Sequence, residues 1–152
     1  MSATEALVAL TGSGYDDIPE EVLEHARASI RDVLGVAIYG SQHEVGERIA
    51  EREERTSPGD GATVLGRGTA SAPGAALANG TFAHAIDYDD TFESMVLHPS
   101  APVLPAALAA AASAHATGRD LLTGYVLGVD AAFRVSHSVY PRHYDHGWHH
   151  TG

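Results

Sequence analysis

Pro19-Glu20-Glu21-Val22-Leu23-Glu24-His25-Ala26-Arg27-Ala28-Ser29-Ile30-Arg31-Asp32-Val33-Leu34-Gly35-Val36-Ala37-Ile38-Tyr39-Gly40 carries an unbroken helical pattern. Pro19 sits where a helix begins, since its missing N–H would be unpaired there anyway. Glu20 and Glu21 fall at the positive end of the helix dipole. Val22, Ala26, Ile30, Val33, Leu34, Ala37 and Ile38 then recur at three- and four-residue steps, the period of one helix face. Gly40 is expected to close the helix.

The same grammar extends outward. A charged helix is expected from Glu44 to Arg55, followed by the turn cluster Ser57-Pro58-Gly59-Asp60-Gly61. Ala62 to Leu65 reads as a short strand or an extended link. Ser71 can cap the next helix, with Pro73 in its first turn, running through Ala75, Ala76, Leu77 and Ala78 to His84. Asp87 to Pro99 is a polar loop. Ser100 is expected to cap a helix over Ala101–Thr117, stopped by Gly118, with Pro105 near its start. Asp120 should cap a last helix from Leu121 to about Val139, whose stripe is Leu122, Tyr125, Val126, Val129, Ala132, Phe133 and Val135. Pro141 to Gly152 is a loop dense in His. No repeat or linker divides the chain, so residues 1–152 read as a single all-α, Ala-rich helical bundle.

Composition bounds the function. The 152 residues are 44% hydrophobic and 7% aromatic, and much of the apolar content is Ala. Such a chain is globular, with closely packed helices. Twenty acidic residues face nine basic ones, all Arg, for a net charge of -11. That field disfavours nucleic acid, whose phosphates need neutralising, and anionic membrane surfaces. It fits a protein that stays soluble at high salt, or simply an acidic cytoplasmic one. The absence of cysteine excludes disulfides and thiolate chemistry. The first residues lack the basic and apolar blocks of a signal peptide, and Ala101–Ala112 is too short to span a bilayer.

The chemistry-bearing residues fall in two groups. One is His84-Ala85-Ile86-Asp87-Tyr88-Asp89-Asp90 with His98-Pro99-Ser100. The other is His143-Tyr144-Asp145-His146-Gly147-Trp148-His149-His150. Imidazoles and carboxylates move protons near neutral pH, and elimination needs both a base and an acid. Pro99 keeps His98 extended, so His98 should stand beside a helix N-terminus able to attract a carboxylate. Asp87 could orient that imidazole or act as base. Blander readings stand beside these. His84 reads as a structural residue, Asp89 and Asp90 as carboxylates bonding the loop backbone, and His115 and His137 as surface or packing residues. His143, His146 and His149 recur every third residue and could bind zinc, nickel or copper. Gly147 and Pro141 argue against one helix face presenting them, so metal binding ranks below acid–base use.

These blocks resemble a known family. Asn79-Gly80-Thr81-Phe82-Ala83-His84-Ala85-Ile86-Asp87-Tyr88-Asp89-Asp90-Thr91 is similar to a block of the MmgE/PrpD family, which includes 2-methylcitrate dehydratase, cis-aconitate decarboxylase and iminodisuccinate epimerase. His98-Pro99-Ser100-Ala101-Pro102-Val103-Leu104-Pro105-Ala106, Gly118-Arg119-Asp120-Leu121-Leu122 and Gly147-Trp148-His149-His150-Thr151-Gly152 resemble its next blocks, in order. The resemblance implies the N-terminal portion of a large helical domain, no metal or organic cofactor, and a homodimer. It places the active-site acid at Asp87 and two active-site histidines at His98 and His149. Tyr88, Ser100 and Thr151, in the matching blocks, become candidate substrate contacts. Where the family usually has Pro after the last histidine, this chain has His150.

Family members are far longer and supply further active-site groups, a lysine among them, from later segments. This chain has no Lys. The expectation is therefore an incomplete domain: the front part of a cofactor-independent lyase acting on a small polycarboxylate, cytoplasmic, and inactive without its remainder. It would self-associate or pair with a second chain that supplies a lid. The alternatives are a catalytically inactive helical assembly module and a His-rich metal-binding protein.

Overall fold

A computed structural model describes residues 2–151. Its helices are α1 (Ala3–Leu10), α2 (Glu20–Gly40), α3 (Glu44–Thr56), α4 (Ala72–His84), α5 (Ser100–Ala114), α6 (Gly118–Val139) and α7 (Arg142–Asp145). Two short strands, β1 (Ala62–Val64) and β2 (Gly68–Ala70), form one antiparallel hairpin with Ala62 opposite Ala70. The architecture is all-α, as the periodicity predicts. β2 is an addition: its turn needs Gly66 in a left-handed conformation, φ 70°, which glycine adopts without cost. Among the described residues, no helix is long and apolar enough to cross a membrane.

Helix α4 is the axis of the packing. Ala75, Ala78, Phe82 and Ala83 are fully buried, and α2, α3, α5 and β1 all pack against it. A helix apolar on most sides has to be surrounded, and its small residues let neighbours come close. Ser71 caps it, accepting from the Gly74 N–H at 3.3 Å. Asn79, buried on the same helix, accepts from the Leu65 N–H at 2.9 Å and donates to the Thr63 carbonyl at 2.8 Å, tying the hairpin to α4. Both ends of that amide are paired, which is what buried polar groups require.

The expected stripe of α2 holds at Ala26, Val33 and Ala37, which are buried, and at Ile30 and Leu34, which pack against the core, and shifts by about one position at its edges. Leu23, Ala26, Val33, Val36, Ala37 and Gly40 are buried, while Val22 and Ile38 are 40% and 50% exposed. Gly40 explains the rotation. A Cβ there would lie 2.0 Å from the Phe82 carbonyl oxygen, so α2 meets α4 backbone to backbone at this residue. Gly40 is the last residue of the helix and serves close approach rather than a left-handed cap.

Two helix boundaries also move. α5 ends at Ala114 on His115, which takes the left-handed conformation at φ 50°, before Gly118 is reached. Gly118 instead opens α6, and Thr117, not Asp120, is its cap. The Thr117 hydroxyl accepts from the Asp120 N–H, and the Asp120 carboxylate accepts from the Thr117 N–H, forming a capping box. On α6, Leu122 and Tyr125 are buried and Val126 and Val129 pack against the core, but Val135 is 48% exposed.

Candidate functional site

Helix α4 ends at His84, and the chain then reverses through Asp87, whose φ of 52° is left-handed. Asp, with its short polar side chain, tolerates that conformation better than most residues. The reversal lays Asp89 back against the helix end. The Asp89 side chain is fully buried and its carboxylate lies 3.0 Å and 3.2 Å from His84 Nδ1. It also lies 3.4 Å from His98 Nδ1. That second approach is too poorly aligned for a hydrogen bond, so His98 Nδ1 is buried without one. A carboxylate only accepts, so His84 donates to Asp89 from Nδ1 in this contact.

The imidazoles converge. The His84 and His98 rings meet edge to face with centroids 4.6 Å apart. His149 arrives from the C-terminal loop, 6.0 Å from His98 and 6.4 Å from His84. Thr151 fixes that loop: its hydroxyl accepts from the His98 N–H at 2.9 Å, and its own N–H donates to His149 Nδ1 at 3.2 Å. Asp87, with its side chain 79% exposed, sits 3.7 Å from His98 Nε2. His84, His149 and Thr151 line a cleft of about 680 Å³, together with Leu77, Gly80 and Pro102. His98, only 13% exposed, stands behind them.

The His149 imidazole titrates below its ordinary range. Partial burial of the ring is the main cause, and the neighbouring His98, His84 and His150 add to it; Asp87 pulls the other way. Although the residue as a whole is exposed, its ring is the part turned to the other imidazoles. An imidazole kept neutral can take a proton.

Of the six residues singled out in the sequence, Asp87, His98, His149 and Thr151 gather at this place. Tyr88 does not: it is 78% exposed and faces Arg31, Val36 and Tyr39 instead. Ser100 is fully buried, and its hydroxyl lies 2.5 Å from both Asp90 Oδ2 and the Tyr125 hydroxyl. The expected cap is also reassigned. Ser100 is the first residue of α5, and Asp90 accepts from its N–H at 3.2 Å. A carboxylate of the protein thus occupies the helix N-terminus that the sequence suggested for a substrate.

Two residues set aside in the sequence, His84 and Asp89, belong to the cluster. Their five-residue separation fits neither a helix nor a strand period, so no local signal marks the pair; the reversal at Asp87 makes it. The expected loop over 141–152 contains the short helix α7, on which His143 stacks on Trp148 and His150. The His150 nitrogens are buried without hydrogen bonds, against Tyr140 and Tyr144. Among the described residues, the group with metal-binding spacing is His84, Asp87, Asp89 and His98, not the His143, His146 and His149 set.

Comparison with known proteins adds a frame. The profile of the MmgE/PrpD N-terminal domain matches residues 9–152. Cis-aconitate decarboxylase of Aspergillus terreus is 29% identical over 141 residues, covering 88% of this chain and 29% of that protein. The cis-aconitate decarboxylase-like protein oryM of Aspergillus oryzae is 30% identical over 142 residues, covering 88% and 30%. Human cis-aconitate decarboxylase is 30% identical over 143 residues, covering 90% and 30%. The chain spans about three tenths of the length of these relatives.

Proposed function

The chain belongs to the MmgE/PrpD family, matching its N-terminal domain, and on that footing we propose that it carries the proton-transfer half of a polycarboxylate lyase site. The observation that carries this reading is the meeting of three imidazoles, His84, His98 and His149, with Asp87 and Asp89 beside one cleft. Elimination from a carboxylic acid needs a proton moved beside a carboxylate and an acid for the leaving group. His149, held neutral, is suited to accept a proton. His98, with Asp87 at its Nε2, is suited to hold one and return it. Thr151 ties the two segments together, accepting from the His98 backbone N–H and donating to the His149 ring.

The substrate class we infer is a small tricarboxylate of the cis-aconitate or 2-methylcitrate kind, and the reaction is decarboxylation or dehydration without a metal or organic cofactor. Among the described residues, no arginine or lysine lines the cleft. A substrate with two or three carboxylates needs cationic partners, so we infer that another segment or a second chain closes the cleft and supplies them. Self-association of this chain is the simplest source. The test is turnover of cis-aconitate and 2-methylcitrate by the chain alone and combined with the C-terminal part of a relative. Turnover by the combination that is lost in His98→Ala and His149→Ala supports the reading. Undiminished turnover in both variants sinks it.

A further inference from the structure

We propose that His84, Asp89 and His98, joined by Asp87, form a binding site for a divalent transition-metal ion of the zinc class. Each of the four residues offers one ligand atom, and these atoms all lie within 4.8 Å of one another. Around a tetrahedral zinc with bonds of about 2.0–2.2 Å, neighbouring donors stand roughly 3.3–3.6 Å apart. With His98 Nδ1 as the donor, the contacts come close to that spacing: 3.0 Å from His84 Nδ1 to Asp89 and 3.4 Å from His98 Nδ1 to Asp89; His84 Nδ1 would give up the proton it shares with Asp89 when the ion binds. His98 can offer only one nitrogen at a time. Nδ1 is the better candidate, because it is buried and has no hydrogen bond. A metal bond would satisfy it.

Donor chemistry selects the ion. Two imidazoles and two carboxylates suit zinc, cobalt or nickel, whereas calcium and magnesium favour oxygen shells. Two carboxylates neutralise a dication, and the chain's charge of -11 concentrates cations around it. Asp87, exposed on the reversal, is the ligand with most freedom to swing in. The C-terminal histidines compete poorly, since His143 and His150 are held in ring stacks. The inference goes beyond the proton-transfer reading, and only its consequence rests on that reading: an ion here takes His84 and His98 out of proton traffic and inhibits turnover.

The test is titration of the chelator-stripped chain with Zn²⁺ by calorimetry and with Co²⁺ by visible absorbance. One equivalent should bind, with the intense bands of four-coordinate cobalt. His98→Ala should weaken binding by at least about ten-fold, and Asp87→Asn by less. Asp87 is exposed, so its variant keeps the fold and the comparison stays interpretable. A His143→Ala/His146→Ala double variant should bind as the wild type does. Absence of binding, or binding lost only in the double variant, overturns the site. Turnover in metal-free buffer judges the proton-transfer reading separately.

Discussion

Gly35 and Gly40 lie on the same helix, and alanine at each should act in opposite directions. Helix propensity alone stabilises either substitution by roughly 0.5–1 kcal/mol. At Gly35 nothing stands within 4 Å of the added Cβ, so that gain should appear in full. At Gly40 the Cβ would lie 2.0 Å from the Phe82 carbonyl oxygen and 3.0 Å from its carbon. Both are backbone atoms of the buried last turn of α4, so no rotamer change relieves the clash and the helices must part. Overpacking of this kind costs about 1–3 kcal/mol. With the upper end expected for a backbone clash, the net for Gly40→Ala is a loss of about 2 kcal/mol. For a domain of this size that lowers Tm by roughly 4–8 °C. Urea unfolding and calorimetry of both variants measure it. The displacement also reaches the cleft, because Ala85, 3.4 Å from the same Cβ, begins the reversal that carries Asp87 and Asp89. Imidazole NMR signals of His84 and His98 should therefore shift in Gly40→Ala and stay put in Gly35→Ala. A Gly40→Ala protein as stable as the wild type would refute the close backbone approach and the explanation of the rotated face of α2.

Further outcomes follow from the cleft and its supports. NMR titration should place His149 below the ordinary imidazole value of 6.5, and Asp87→Asn should lower it further, since Asp87 is the group that raises it; an upward move would reverse the assigned field. Because the folded pKa is the lower one, the unfolded chain binds more protons in this window. His149 therefore costs stability progressively as pH falls through the ordinary histidine range, and removing it should flatten that slope. Ser100→Ala leaves Asp90 Oδ2 and the Tyr125 hydroxyl short of a buried partner and should cost about 1–3 kcal/mol in urea unfolding. A change under about 0.5 kcal/mol would mean the triad is not a stabilising tie. Combined with the C-terminal part of a relative, His149→Ala should lower kcat by about 10²–10⁴-fold; a change confined to KM would make it a binding group instead.

The helical class and most element positions are written in the local sequence. Three- and four-residue spacing, Ser71 before Pro73, and the acids after Pro19 are short-range signals, and α2, α3, α4 and the end of α6 follow them. Local signals failed where one polar group could serve two purposes. Ser100 looks like a cap, but Asp90, ten residues earlier, takes that task and leaves Ser100 buried as a tie to α6. Gly118 looks like a stop, but His115 takes the left-handed position first. The first choice is not visible without knowing what lies across the helix.

The site divides along the same line. Which residue types are available for proton work, and the family that arranges them, could be read from the blocks around Asp87, His98 and His149. The partners could not. Asp89 joins His84 and His98 only because the chain reverses at Asp87 and buries that carboxylate, and Thr151 reaches His98 across 53 residues of sequence. Periodicity, capping and composition act within a few residues and are carried by sequence alone. Distances between side chains far apart in the chain exist only once α4 has been packed on all sides, and those distances are what set the contact of His84 with Asp89, the lowered pKa of His149 and the spacing of the proposed metal ligands.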